Sequence, residues 1–207
     1  MISETGSYRS IPEIQELLTA QFAKEYEEVR TLAQNHPEII QNLSLDLSSD
    51  FPCKNAAQML LDLQSRITET FPPLPGAAAN LAVKEVSSSL EAYCAPAFYL
   101  TAHLDDTTVN SIYINRRKTP DGLELYTTLA HEGYPGHLYQ TVYHNRQALS
   151  SGERPARQLL WYGGYQEGWA LYVEFLSYQY AAQLLLEDNQ GTAALLAQLE
   201  CHNRSLQ

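Results

Sequence analysis

Cysteine is scarce in this chain, and its spacing suggests no structural use. The 207 residues contain three cysteines, Cys53, Cys94 and Cys201, which lie far apart and form no CxxC pair. A disulfide framework and a cysteine-based zinc site both require paired or closely spaced cysteines. The sequence therefore argues against both.

Basic residues and long apolar runs are also few. Thirteen Lys and Arg residues stand against 24 Asp and Glu, which gives a formal net charge of −11. Because nucleic-acid binding needs basic patches, we expect no nucleic-acid partner. No apolar run approaches the roughly 18 residues of a membrane span, and residues 1–10 lack a charged-then-apolar leader. The compartment stays open, with secreted, lipoprotein and cytoplasmic locations all compatible with the sequence.

The first third of the chain has the apolar periodicity of helices. Apolar residues three and four positions apart predict a helix over 12–34, capped by Ser10 and ended by His36-Pro37. The same pattern predicts a second helix over 55–70. Pro-rich residues 71–76 then break the chain. We therefore predict an N-terminal helical part, 1–75, followed by a second part, 76–207.

The second part combines short β-prone runs with further helices. Residues 82–86, 97–100 and 111–115 predict two or three strands of a small sheet. The last of these strands is a candidate edge that could pair with an extended peptide. Helical patterns follow over these four ranges: 123–132, 137–149, 155–186 and 192–206. The predicted fold class is α+β, mainly α, and the two parts are expected to form one truncated domain, since the last helical pattern is still running at residue 207.

A His-Glu pair followed by a second histidine carries the chemical signal. His131, Glu132 and His137 resemble the zincin HExxH motif, in which two histidines hold zinc and the glutamate activates water. Six residues of unbroken helix would leave the two histidines roughly 120° and about 9 Å apart. Pro135 and Gly136 predict a helix break that could bring His137 back beside His131. The alternative is that the His-Glu pair is an ordinary surface or capping feature.

Two glutamates on the 155–186 helix are candidates to complete the site. Gluzincins take their third zinc ligand from a glutamate on a later helix, and Glu167 fits that position because a carboxylate in an apolar helix is costly unless it is paired or bound to a cation. Glu174, seven residues on, shares nearly the same face and could hold a ligand histidine from behind, or form a salt bridge to an arginine. Tyr113 and Tyr134 are candidates to face a substrate.

These motifs resemble one known family. The segments AHEGYPGHLYQ and QEGWALYVE, with PAFYL and SIYIN before them, look like the bacterial domain-of-unknown-function 885 family, whose members are regarded as gluzincin-like metallopeptidases. The resemblance covers roughly residues 57 to 180. It implies a mainly helical, zincin-like fold with a small sheet, one zinc ion held by His131, His137 and Glu167, and Glu132 as the general base.

Three functions are compatible with these residues. The leading hypothesis is a zinc-dependent peptidase, in which Glu132 accepts a proton from water and passes it to the leaving amine. The second is a metal-dependent hydrolase of another amide or ester, and the third is a non-catalytic binding or scaffold domain. Family members are usually longer, so we expect weak activity from the isolated chain, and self-association through apolar faces that lack their natural partners.

Overall fold

The first long helix begins and ends where the sequence predicts. The computed structural model describes residues 6–48, 50–76, 79–103, 106–119, 121–152 and 162–207, and it places helix α1 at Ile11–Asn35. The Ser10 side chain accepts a hydrogen bond from the Glu13 backbone N–H, and the Glu13 carboxylate accepts one from the Ser10 N–H at 2.7 Å. This reciprocal capping satisfies two backbone donors that would otherwise lack helical partners.

Two shorter helices follow. Helix α2 is a single turn, Glu38–Gln41, and helix α3 spans Ala56–Arg66 with Asn55 as its N-cap. The predicted 55–70 helix is therefore too long, because the chain continues from Ile67 in turns. Three of the four residues after Arg66 are β-branched, which lowers helix propensity at the point where the helix ends.

The sheet has three strands, β1 (Asn80–Glu85), β2 (Ala97–Leu100) and β3 (Val109–Ile114), in the order β1-β3-β2. Strand β3 pairs in parallel with β1 and antiparallel with β2. The prediction that the 111–115 strand is an exposed edge is therefore wrong. Alternation along a strand indicates which faces are buried but not which strands lie beside it, and the two edges belong to β1 and β2.

Four helices complete the described chain: α4 (Leu123–Glu132), α5 (His137–Ser151), α6 (Gly163–Glu187) and α7 (Gly191–Leu206). Helix α4 matches its prediction, and α5 and α7 match theirs within two residues. Helix α6 begins later than the predicted 155–186 helix, and the predicted positions 155–161 lie outside the described residues. The predicted fold class, mainly helical with a small sheet, is confirmed. Among the described helices, none combines the length and hydropathy that a membrane span requires.

One hydrophobic cluster joins the helices to one face of the sheet. It includes these fully buried side chains: Phe51, Met59, Leu63, Ile112, Ile114, Leu125, Tyr126, Leu129, Leu138, Val142 and Leu185. Members come from both sides of residue 75, so helix α3 packs within the same core as α4. The division into parts 1–75 and 76–207 itself stays a prediction.

Helix α1 packs differently from the others. Leu17, Leu18, Phe22 and Tyr26, which carry its apolar periodicity, are all more than half exposed. The residue it buries is Glu25, whose Oε2 lies 2.6 Å from Nδ1 of His202 on α7. An exposed apolar stripe of this kind is compatible with the expected self-association, because such patches favour contacts between molecules. Self-association itself stays a prediction.

Helix α3 offers a matched test of the core. Leu63→Ala removes a side chain with no exposed surface and should lower the free energy of unfolding by about 2–5 kcal/mol. Leu61→Ala, two residues earlier on the exposed face, should change it by no more than about 0.5 kcal/mol. Urea denaturation of both variants gives the comparison. Equal losses would contradict the described position of α3.

Candidate metal centre

The break between α4 and α5 brings the two motif histidines together. His131 is the second-last residue of α4, and His137 is the first residue of α5. Their ring centroids lie 4.9 Å apart with the rings nearly perpendicular. The predicted break is therefore present. It brings the two histidines closer together than the roughly 9 Å along the axis that an unbroken helix would impose.

Gly136 allows this close return of the chain. A Cβ atom at this position would lie 1.8 Å from the His131 carbonyl oxygen and 2.3 Å from the Ala130 carbonyl oxygen. Contacts this short with backbone atoms exclude every side chain, so only glycine fits. The preceding Pro135 is held from the other side, because its carbonyl oxygen accepts a hydrogen bond from Nε1 of Trp169 at 2.8 Å. Helix α6 thus braces the break.

Glu167 on α6 faces both histidines. Its Oε2 lies 3.8 Å from Nε2 of His131 and 3.7 Å from Nε2 of His137. One donor atom from each of these three residues lies within 4.8 Å of the others. The Glu167 side chain is 57% exposed, so the premise that it sits in an apolar environment is wrong. The three predicted metal ligands nevertheless converge as expected.

Glu174 is the buried glutamate of α6, and it contacts Nδ1 of His131, the ring nitrogen that does not face Glu167. Its Oε2 lies 2.8 Å from Nδ1 of His131, and its Oε1 accepts a hydrogen bond from Nε of Arg204 at 2.9 Å. Glu174 therefore makes both of the contacts considered for it, one to a histidine and one to an arginine, and its support of a metal ligand stays a prediction. Burial alone would raise the pKa of Glu174, but the hydrogen bonds from His131 and Arg204 lower it below the usual value.

An ionised Glu174 fixes the tautomer of His131. A carboxylate is only an acceptor, so Nδ1 of His131 must carry a proton, and Nε2 is the nitrogen that faces Glu167 and is left to bind a metal when the ring is neutral. Burial opposes a charge on His131, but Glu174, Glu132 and Glu167 together raise its pKa. His137 differs, because burial and the neighbouring His131 lower its pKa. The nitrogen atoms that a metal would use point into the same space.

Glu132 is held by the sheet. Its Oε2 accepts a hydrogen bond of 2.8 Å from the backbone N–H of Tyr99 on edge strand β2. Burial raises the pKa of Glu132, and this effect outweighs the opposing effects of His131 and the Tyr99 N–H. A carboxylate with a raised pKa takes up a proton more readily near neutral pH.

A cavity of about 800 Å³ adjoins the site. His131, Glu132, Glu174 and Arg204 line it together with residues of the 43–48 segment, of α4 and α7 and of the segment before β2, whereas His137 and Glu167 lie outside its lining. It is large enough for a small-molecule or peptide ligand.

The two tyrosine candidates each have contacts of their own within the fold. Tyr113 stacks on Phe98 at 5.2 Å between ring centroids, on the sheet face opposite buried Ile112 and Ile114. Tyr134 is only 4% exposed and belongs to the hydrophobic core, where burial raises its pKa. This burial argues against contact between Tyr134 and a substrate.

Sequence reasoning missed two contributors. Tyr99 acts through its backbone N–H, which no side-chain pattern reveals. Arg204 lies 30 residues after Glu174, and only the expectation that Glu174 needs an arginine pointed towards it. The charge demand of a buried carboxylate was the one available signal.

Comparisons with known proteins identify the family of this chain. A family model described as "Bacterial protein of unknown function (DUF885)" matches residues 3–185. The chain belongs to this DUF885 family. No match was found among curated proteins.

A solved structure shares the fold of the DUF885 chain. It is described as "the putative lipoprotein from Colwellia psychrerythraea", with a TM-score of 0.69 and 20% sequence identity. The match covers 99% of this chain and 37% of that one. This chain thus spans little more than a third of the solved protein's length, and the likeness establishes the fold.

The glycine at the break provides a test of the DUF885 site. Gly136→Ala should push His137 away from His131 and weaken binding of Zn²⁺ or Co²⁺ to the chain at least tenfold. Changes that misorient a metal-binding histidine typically cost about 10–100-fold in metal affinity. Gly168→Ala is the control, since a Cβ there meets nothing within 4 Å. Competition with a chelator measures both affinities. Unchanged binding by the Gly136 variant would show that the break does not position the histidines.

Proposed function

We propose that this chain carries the metal site of a zinc-dependent peptidase. The observation that supports the proposal is the convergence of His131, His137 and Glu167, with Glu132 beside them at the wall of a cavity. Two histidines, a glutamate from a later helix and a separate glutamate base form the ligand and base set of zinc hydrolases.

The residues present fit zinc. Ligand bonds of about 2.0–2.1 Å in a tetrahedral site place ligand atoms about 3.3–3.4 Å apart. The separations of 3.8 and 3.7 Å from Glu167 to the two histidines are about 0.3–0.5 Å longer than this, and all three ligand atoms lie within 4.8 Å of one another. Rotation of the exposed Glu167 side chain can shorten its own two separations, and the two histidine rings would also have to close on the ion. Glu174 supports His131 as carboxylates support zinc-bound histidines generally.

Glu132 supplies the base. When bound, zinc lowers the pKa of water and polarises a substrate carbonyl. The carboxylate of Glu132, with its raised pKa and its position next to His131, accepts the proton that the attacking water loses. The same carboxylate then delivers that proton to the leaving amine. The Tyr99 N–H keeps one carboxylate oxygen in place and leaves the other free for proton transfer.

The sheet edge favours a peptide over other carbonyl substrates. In β2, Phe98 and Leu100 lie opposite Tyr113 and Ser111, and the Tyr99 N–H points away from β3 towards Glu132. The outward backbone groups of this strand are therefore beside the candidate base. Extended peptides bind such edges by main-chain hydrogen bonds. Because Glu132 already accepts from the Tyr99 N–H, a peptide would bind through the remaining outward groups of this short edge and not as a fully paired strand.

Two glutamine substitutions separate the base from the ligand. Glu132→Gln should keep stoichiometric zinc but lose at least about 10²-fold in turnover of a peptide pool, because an amide cannot accept the proton. Glu167→Gln should instead lose zinc during dialysis against a weak chelator. Metal analysis and turnover per bound zinc are measured on the same samples.

Each of the opposite outcomes would support a different assignment of roles or function. Loss of zinc from the Glu132 variant and retention by the Glu167 variant would exchange the two roles. Stoichiometric zinc with turnover of esters or other amides but not of peptides would make the chain another metal-dependent hydrolase. Purification without zinc, and no uptake on addition, would leave a binding or scaffold domain.

A further inference from the structure

Arg204 joins the last helix to the candidate metal centre. It lies on α7, which contributes none of the three candidate ligands, and its guanidinium reaches Glu174 on α6. Each oxygen of Glu174 thus has its own partner, Oε1 with Arg204 and Oε2 with His131. A chain of two hydrogen bonds therefore connects α7, α6 and α4.

We propose that Arg204 is a positioning residue for the metal site. It fixes the Glu174 carboxylate so that His131 directs Nε2 towards His137 and Glu167. This inference rests on the proposed metal site and adds a residue from a third helix to it.

The burial of Glu174 explains why a second partner is needed. Its side chain is only 10% exposed while Arg204 covers Oε1, and the neighbouring cavity would offer that oxygen only mobile water in place of a fixed donor. A carboxylate held at one oxygen only can rotate about its last bond, and that rotation would move the partner of His131. Arg204 removes this freedom and keeps the carboxylate charged at a site where burial opposes the charge.

Because of the local charges, the direction in which zinc affinity changes on removal of Arg204 distinguishes the proposal from a simple charge effect. Glu124, on the same cavity wall, also contributes a negative charge near Arg204. A guanidinium close to a cation site repels the cation, so charge alone predicts tighter zinc binding when Arg204 is removed. Positioning predicts weaker binding. The two accounts therefore differ in direction as well as in size.

The test compares zinc affinity in four forms of the 207-residue chain, measured by chelator competition. Arg204→Met keeps the aliphatic stem but removes the donors, and it should weaken zinc binding about tenfold, as loss of supporting partners does. Arg204→Lys keeps a charged donor and should recover most of that loss. Arg116→Met is the control, because Arg116 has similar exposure and also bridges carboxylates, those of Glu85 and Asp121.

A double-substitution cycle identifies the route. Glu174→Gln alone should weaken zinc binding about 10–100-fold, and adding Arg204→Met to it should have little further effect, because Arg204 acts through Glu174. The visible spectrum of bound Co²⁺ should change in Arg204→Met and return towards the parent spectrum in Arg204→Lys. A purely structural loss would not follow that pattern.

The outcomes are separable from those for the proposed function. Unchanged or tighter zinc binding by Arg204→Met, or an equal loss with and without Glu174, would overturn the positioning role while the metal site stands. Absence of zinc binding by the parent chain would overturn both. If Arg204→Met fails to fold, judged by thermal unfolding without metal, Arg204→Leu provides the same comparison, because it also removes every donor and keeps an apolar side chain.

Discussion

The approach of Gly136 to the end of α4 is the contact on which the candidate centre depends. No side chain fits between this residue and the carbonyl oxygens of Ala130 and His131. Because the backbone can fold back so closely, α5 begins directly beside the last turn of α4. Trp169 then secures the break from α6, the same helix that brings Glu167 and Glu174 to the histidines. One steric constraint therefore sets the relative position of three helices.

The half-buried Glu132 and the buried Glu174, both next to His131, have opposite electrostatic surroundings. Glu132 has one backbone donor, and burial raises its pKa, whereas Glu174 has two charged or polar partners that lower its pKa. These opposite shifts fit the proposed roles, with Glu132 as the proton acceptor and Glu174 as the charged group that orients His131. Pairs of titratable groups separated in this way are typical of acid–base sites.

Much of this arrangement could be predicted from local patterns. The ends of α1 and α4 follow from periodicity and from capping or breaking residues, and the His-Glu-Pro-Gly-His spacing predicts a break. Strand order could not be predicted, because alternation describes the faces of β3 and not its neighbours. Exposure of Glu167 was also missed, since an apolar sequence around a residue does not show where its own side chain points. The Tyr99 N–H and the Arg204 guanidinium belong to tertiary contacts that no local spacing encodes.

The hydrogen bond between Glu132 and Tyr99 affects how readily the edge of the sheet can pair with strands of other molecules. A three-stranded sheet has two edges whose unpaired backbone groups invite strands from other molecules. On β2, the outward N–H of Tyr99 is already taken by Glu132, so a foreign strand loses a donor there. On β1, five of six residues are exposed and Lys84 and Glu85 place charges along the edge. The carboxylate proposed as the base thus also helps to protect the protein against edge-to-edge aggregation.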